Sequence, residues 1–231
     1  YNVEEYVEKC IRSLEDQDIP TNEYEIICIN DGSPDNCRGI VLGLQEEFDN
    51  IILIDKKNQG VSLARNDGID KASGNYILFI DPDDYVEVNS LKRVVQTAVE
   101  NKAQVSFLGF TILSEKGTIK EQVVYENWYS QVFNGTEAYF ISRGDGSTDP
   151  DRMWAVLFLR SFINKNNLRY LPDVPFLEDG EFIARILCLA KRCIFDREPF
   201  YLRTTRSGSA TNSALFYHEK ATIGFLLAAD N

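Results

Sequence analysis

The spacing of apolar residues divides the chain into two stretches with different rhythms. In the first stretch, short hydrophobic runs alternate with amphipathic segments. Tyr6, Cys10 and Leu14 recur at helical spacing and predict a helix near the start. Tyr24-Glu25-Ile26-Ile27-Cys28-Ile29 predicts a strand, Ile40, Leu44 and Phe48 mark a second helix face, and Ile51-Ile52-Leu53-Ile54 predicts a second buried strand. A turn at Asn58-Gln59-Gly60 precedes a helix carrying Val61, Ala64, Arg65, Gly68 and Ala72. The run from Tyr76 to Ile80 is too short for a helix and rich in aromatic and β-branched residues, so it predicts a strand buried on both faces. A helix around Leu91 to Val99 and a strand around Val105 to Phe110 continue the alternation. Strands alternating with helices imply an α/β fold with a doubly wound, mainly parallel sheet.

After Phe110 the rhythm changes. Thr111 to Glu126 alternates weakly around Glu115-Lys116-Gly117, a hairpin signal, and Trp128, Tyr129, Phe133, Tyr139 and Phe140 form an aromatic-rich segment. Asp145-Gly146-Ser147-Thr148-Asp149-Pro150 reads as a polar loop. Phe176-Leu177-Glu178-Asp179-Gly180-Glu181 leads into an apolar helix through Ile183, Ile186, Leu187 and Ala190, with Gly180 expected to give the turn conformational freedom. Cys193-Ile194-Phe195 predicts a short strand before the stretch Tyr201 to Thr211. The sequence shows no internal repeat and no linker long enough to separate independent domains, so residues 1–110 and 111–231 are expected to be halves of one domain.

The chemistry concentrates where the run from Tyr76 ends. The strand closing at Ile80 runs into Asp81-Pro82-Asp83-Asp84, and Pro82 cannot donate to a sheet ladder, so the acids are held on a loop at the strand's carboxyl end. That edge is where open α/β sheets bind ligands, and Asn30-Asp31-Gly32-Ser33-Pro34-Asp35 closes another strand at the same edge. Carboxylates so close repel one another unless a cation sits among them, and hard oxygen ligands suit magnesium or manganese. An Asp-rich turn before a helix N-terminus accounts for the same residues without any ligand.

Composition removes several classes of function. The chain has 231 residues, 44% of them hydrophobic, and a mean hydropathy of -0.26, an ordinary balance for a globular protein. No apolar run approaches the ~20 residues of a membrane-spanning helix. A net charge of -12 with a pI near 4.6 argues against a nucleic-acid surface, and a phosphorylated ligand would need a metal or a local basic cluster. Cys10, Cys28, Cys37, Cys188 and Cys193 are odd in number and lack C-x-x-C spacing, so neither a disulfide framework nor a zinc site is expected. A reducing compartment follows, giving an expected cytoplasmic location, with peripheral attachment at the inner membrane face compatible. His218 is the only histidine, which removes most Ser-His-Asp and histidine-metal chemistry and leaves a carboxylate as the expected general base.

Taken in order, Tyr1-Asn2, Glu25 through Asp35, Asn58 through Gly68 and Gly74 through Asp84 resemble the family-2 glycosyltransferases of the nucleotide-diphosphosugar transferase fold, and Glu178-Asp179 and Gly208-Ser209-Ala210-Thr211 look like that family's later motifs. The resemblance implies that Asp31 accepts a donor from the nucleotide base, Tyr1 offers a stacking face and Arg65 opposes the diphosphate. It makes Asp81 and Asp83 the Asp-x-Asp pair reaching the ribose and a divalent metal (manganese or magnesium), with Asp84 competing with Asp83 for that metal. Asp179 matches the catalytic base, and Arg206 and Ser209 would face the diphosphate. It also implies that the family's first, central strand should precede Tyr1. Residues 1–110 then form the nucleotide-sugar-binding half and 111–231 the acceptor-binding half.

The implied activity is inverting transfer of a sugar from a nucleotide-diphosphate donor, a UDP-sugar favoured, to a saccharide or lipid-linked acceptor in polysaccharide or glycolipid synthesis. Two alternatives stay open. One is a nucleotidyltransferase, which also places carboxylates and metal over a nucleotide. The other is a non-catalytic metal-dependent binding module, because Asp31-Gly32-Ser33 mimics the start of an Asp-x-Ser-x-Ser loop, although its fifth position is Asp35.

Overall fold

The computed structural model describes residues 1–143, 151–172, 174 and 177–205. The first half follows the expected alternation closely: α1 (Val7–Glu15), β1 (Ile26–Asp31), α2 (Cys37–Glu47), β2 (Ile51–Lys56), α3 (Val61–Lys71), β3 (Tyr76–Leu78), β4 (Tyr85–Val86), α4 (Leu91–Glu100) and β5 (Val105–Leu113). The second half adds β6 (Ile119–Val123), α5 (Gly135–Arg143), β7 (Val156–Leu159), α6 (Arg160–Lys165), α7 (Glu178–Leu189) and β8 (Cys193–Thr204).

The two longest ladders are parallel. β1 pairs with β2 from Ile26 opposite Ile51 to Asp31 opposite Lys56, and β5 pairs with β8 from Val105 opposite Cys193 to Leu113 opposite Thr204. β5 is the spine of the larger sheet, in which the strands run β3-β7-β5-β8-β4. All but one of its residues are buried, as a near-continuous apolar run requires of a strand covered on both faces. Among the described residues β1 pairs only with β2 and β3 only with β7, so the two sheets share no ladder. The hairpin expected around Glu115-Lys116-Gly117 is present as β5 and β6, with Gly117 at φ 76° and Ser114 N–H donating to the Thr118 carbonyl at 2.9 Å.

β7 has no counterpart among the elements expected from the sequence. Val156-Leu157-Phe158-Leu159 is a four-residue apolar run, too short for periodicity to separate strand from helix. It lies between β3 and β5, antiparallel to both, so strands from the two halves interleave in one sheet. β8 is also much longer than the short strand expected at Cys193 to Phe195, because it resumes pairing beyond Glu198. Its register against β5 shifts on either side of Gly109. There a Cβ would stand 2.3 Å from the Glu198 carbonyl oxygen, so only glycine admits the bulge.

One core cluster fills the space between α7 and the larger sheet, with Phe158, Phe182, Ile183 and Ile186 wholly inaccessible. A second lies under α4 around Ala98, Leu108 and Phe200, and a third joins α1 and α2 to β1 and β2 through Ile11, Val41 and Leu44. Gln17, just past α1, accepts the Ser90 and Leu91 N–H groups at 3.1 and 3.0 Å, capping α4. All five cysteines are free thiols. Among the described residues no helix is long and apolar enough to cross a membrane.

Candidate active site

The Asp81–Asp84 loop leaves β3 as a tight turn, closed by the Asp84 N–H donating to the Asp81 carbonyl at 2.9 Å. Its position is set by the last residues of β8, over 100 positions away in sequence. The Tyr201 hydroxyl accepts the Asp81 N–H at 3.1 Å and donates to Asp84 Oδ2 at 2.8 Å. Asp84 Oδ1 accepts the Thr204 N–H at 2.6 Å, and the Thr204 hydroxyl donates to the Asp83 carbonyl at 2.5 Å. Asp84 is therefore buried with both carboxylate oxygens engaged, an anchor for the loop. Burial pushes its carboxyl up to about 7, with repulsion from Asp81 and Asp83 adding to the rise and the Thr204 and Tyr201 hydrogen bonds opposing it. Asp81 is raised too, first by desolvation and then by Asp83, against the pull of Arg65 and Arg203.

Asp31 closes β1 and turns to the start of α3. Its two oxygens accept the Gln59 and Gly60 N–H groups at 2.9 and 2.8 Å, so it holds the Asn58-Gln59-Gly60 turn in the manner of a cap. Each oxygen keeps a second lone pair for a ligand donor. Gly32 has φ 63°, and a Cβ there would meet the Asn58 backbone nitrogen at 2.8 Å, which locks the two loops together. The Ser33 hydroxyl accepts the Asn2 N–H at 2.7 Å and donates to Asp35 at 2.6 Å. The lead residues of the binding-module alternative are thus engaged in turn formation. Tyr1 lies outside any strand, beside this loop through Asn2, with 65% of its surface exposed.

The base expected at Asp179 and the acidic loop face each other across one guanidinium. α3 carries Arg65 into the site, where Nη1 lies 2.7 Å from Asp179 Oδ1 and 3.1 Å from Glu178, and Nη2 lies 3.8 Å from Asp81. Burial works against the arginine's charge, but Tyr170, Asp179, Asp81 and Glu178 more than offset it and keep it cationic. Burial likewise raises Asp179 to about 7, with Arg65 opposing and Glu178 and Asp81 adding to the rise. That value suits a group that must take a proton near neutrality. Asp179 sits in the first turn of α7, where a negative charge meets the helix dipole, and Leu177 enters that turn in the left-handed region at φ 63°. Gly180 has no positive φ; its smallness serves contact instead of turn freedom, since a Cβ there would come within 3.3 Å of the Asp151 side chain.

The structure thus gathers Arg65, Asp81, Asp83, Asp84 and Asp179 at one edge of the sheet, with Asp31 and Tyr1 on the adjoining β1 side. Arg206 and Ser209 lie outside the described residues. Sequence reasoning missed Tyr170, Asn66, Tyr201, Thr204 and Arg203. The guanidinium of Arg203 lies 5.0 Å from the Trp154 ring and bears electrostatically on Asp81. No spacing signal marks these residues, because each acts through a fold contact over a long sequence separation. Asp84, expected to compete for the metal, is spent on Tyr201 and Thr204, so the neighbouring carboxylates of Asp81 and Asp83 supply the hard oxygen donors that fit a divalent cation. Among the described residues no group of three or more acidic, histidine or cysteine side chains could hold one unaided. The fit is therefore that of an ion bound by one or two carboxylates and completed by phosphate oxygens.

Comparison with known proteins places the chain's family and fold. Uncharacterized glycosyltransferase EpsJ of Bacillus subtilis (strain 168) is 30% identical over 219 residues, which cover 91% of this chain but 60% of the relative's length. Among solved structures, S. aureus TarS 1-349 in complex with UDP-GlcNAc superimposes with a TM-score of 0.74 at 22% identity, over 93% of this chain and 59% of that one. The mannosyltransferase PcManGT from Pyrobaculum calidifontis, in complex with GDP-Man and Mn2+, gives a TM-score of 0.69 at 14% identity, covering 100% of this chain and 62% of that one. These likenesses establish the nucleotide-sugar transferase fold. Residues 1–158 match the family description Glycosyl transferase family 2, and the chain belongs to that family.

Proposed function

We propose that the chain is the sugar-transferring portion of an inverting glycosyltransferase that takes a nucleotide-diphosphate sugar, a UDP-sugar favoured, and passes the sugar to a hydroxyl of a saccharide or lipid-linked acceptor. The observation that carries this reading is the single guanidinium of Arg65 spanning Asp81 and Asp179, which sets a basic carboxylate opposite the loop that would hold the donor. The UDP-GlcNAc bound in the TarS structure supports the donor class. That relative's name, poly(ribitol-phosphate) beta-N-acetylglucosaminyltransferase, supports a polymeric acceptor in polysaccharide synthesis.

Asp179 takes the proton of the acceptor hydroxyl. The acceptor oxygen forms its bond to the anomeric carbon as the bond from that carbon to the diphosphate oxygen breaks, its electron pair leaving with the diphosphate. One displacement inverts the anomeric centre. Arg65 faces the diphosphate, and its movement onto that anion uncovers Asp179. Asp31 and Tyr1 receive the base, and Asp81 the ribose; Arg206 and Ser209, outside the described residues, are assigned to the diphosphate by the family resemblance alone. Asp83 with Asp81 would hold a divalent cation together with the diphosphate oxygens, where it would neutralise the departing charge. Residues 1–110 serve the donor and 111–231 the acceptor.

A panel of UDP- and GDP-sugars incubated with the protein, manganese and a saccharide acceptor tests the proposal. Free nucleoside diphosphate and a product of inverted anomeric configuration are expected. Release of pyrophosphate would indicate nucleotidyl transfer instead, and retained anomeric configuration would rule out the single displacement.

A further inference from the structure

We infer that Tyr170 is a positioning residue for Asp179, fixing which of its two carboxylate oxygens is left to receive the acceptor's proton. The inference rests on the reading of Asp179 as the base. Tyr170 is only 1% exposed and its ring is stacked on Phe182 with centroids 4.1 Å apart and planes within 22°. Phe182 lies one helical turn beyond Asp179 on α7, so the tyrosine covers the same face of the helix that presents the carboxylate. The edge of Phe79, just past β3, closes the other side at 6.0 Å, and the Arg65 guanidinium lies 5.1 Å from the ring centre.

The backbone of Tyr170 is as firmly held as its ring. The Asn66 side chain donates to the Tyr170 carbonyl at 2.8 Å and accepts the Tyr170 N–H at 2.8 Å, a two-pronged clamp from α3. With ring and backbone fixed, the hydroxyl can reach only one place. It donates to Asp179 Oδ1 at 3.2 Å, the oxygen that also accepts Arg65 Nη1 at 2.7 Å. Among the described residues Oδ2 has a single long contact, to Arg65 Nη2 at 3.4 Å. When Arg65 turns to the diphosphate the Tyr170 hydroxyl is the donor that stays on Oδ1, and it keeps the carboxylate from rotating and directs the Oδ2 lone pair at the incoming hydroxyl. Asn66 follows Arg65 directly on α3, so the helix that faces the donor also sets the base.

Tyr170→Phe tests this, because it keeps the stacked ring and removes only the hydroxyl. Among the described residues the charged and titratable groups facing Asp179 are Arg65 from α3, Asp81 from the acidic loop, Glu178 on its own helix and Tyr170; all but the last are unchanged in the variant. Loss of a hydrogen bond to the ionised form should raise the carboxyl's titration midpoint, by about half a pH unit or more. The midpoint is read by carbon NMR of aspartate-labelled, ligand-free protein, with the Asp179 signal identified by its absence in Asp179→Asn. In turnover, kcat should fall about tenfold with the acid limb of its pH profile moved to higher pH, while KM for the UDP-sugar is unchanged. Asn66→Ala, which loosens the clamp but leaves the hydroxyl, should shift both readouts less and in the same direction. An unmoved midpoint together with unchanged kcat in Tyr170→Phe overturns the inference. Retained turnover in Asp179→Asn would instead overturn the assignment of the base.

Discussion

The two acidic corners of the site are held by opposite means. At the Asp81–Asp84 loop, the buried carboxylate of Asp84 is met by neutral donors, the Tyr201 hydroxyl and the Thr204 N–H. At Glu178 and Asp179 the balancing group is a full charge, Arg65. Neutral hydrogen bonds fix a loop permanently, because nothing in a ligand competes for them. A guanidinium can be claimed by a stronger anion, and a diphosphate is one. The supports also cross: a strand of the second half anchors the first half's loop, and a helix of the first half balances the second half's carboxylate. On the proposed function, one corner is built to stay and the other to be released.

The largest effect that would separate the corners belongs to Asp179→Asn. It keeps shape and loses basicity, so turnover should fall roughly 100-fold or more with donor affinity nearly unchanged in calorimetric titration. An equal loss in donor affinity would place Asp179 in binding and erase the contrast. At the other corner, Asp83→Ala should weaken manganese-dependent UDP binding by at least about tenfold while thermal unfolding is little altered. Identical UDP affinity with the metal present would remove Asp83 from the proposed cation site.

Smaller effects probe the anchor. Thr204→Val deletes the hydroxyl that donates to the Asp83 carbonyl, in a partly buried setting, and should cost about 1–2 kcal/mol in urea unfolding. The remaining effect is one of pH. Asp84 titrates at about 7 in the fold against the ordinary carboxylate value when unfolded. Its stabilising contribution is therefore complete in acid and lost as pH rises toward about 7, because the folded state binds the proton more tightly. Relative to Asp84→Asn, the unmodified protein should lose thermal stability across that window, and parallel melting curves from pH 4 to 8 would show that Asp84 is not burdened by its burial.

The same contrast explains what could be read from the chain. The acidic loop was legible because Pro82 stops an apolar run at a sheet edge, and Arg65 was named by family resemblance, since a cation on a helix is ordinary. Asp179 came from family resemblance, since acids in the first turn of a helix are ordinary. That Asp84 is an anchor could not be read at all: three carboxylates in four residues differ only in what packs on them, and that is decided by Tyr201 and Thr204. β7 escaped for the related reason that four apolar residues carry no period. Its place between β3 and β5 is fixed by the core beneath it. Tyr170 and Asn66 join sites more than 100 positions apart, a distance over which local pattern says nothing.

The bulge opposite Gly109 acts as a ruler for the site. Had β8 kept the register that pairs Phe107 with Phe195, Phe110 would face Glu198 in place of Tyr201, and a carboxylate would approach a loop already crowded with three. The backbone contact between Gly109 and Glu198 thus determines which chemical group arrives at the donor loop, a hydroxyl in place of a fourth negative charge. The fit between Gly109 and the bulge therefore sets, at a distance in sequence, the group that holds the acids.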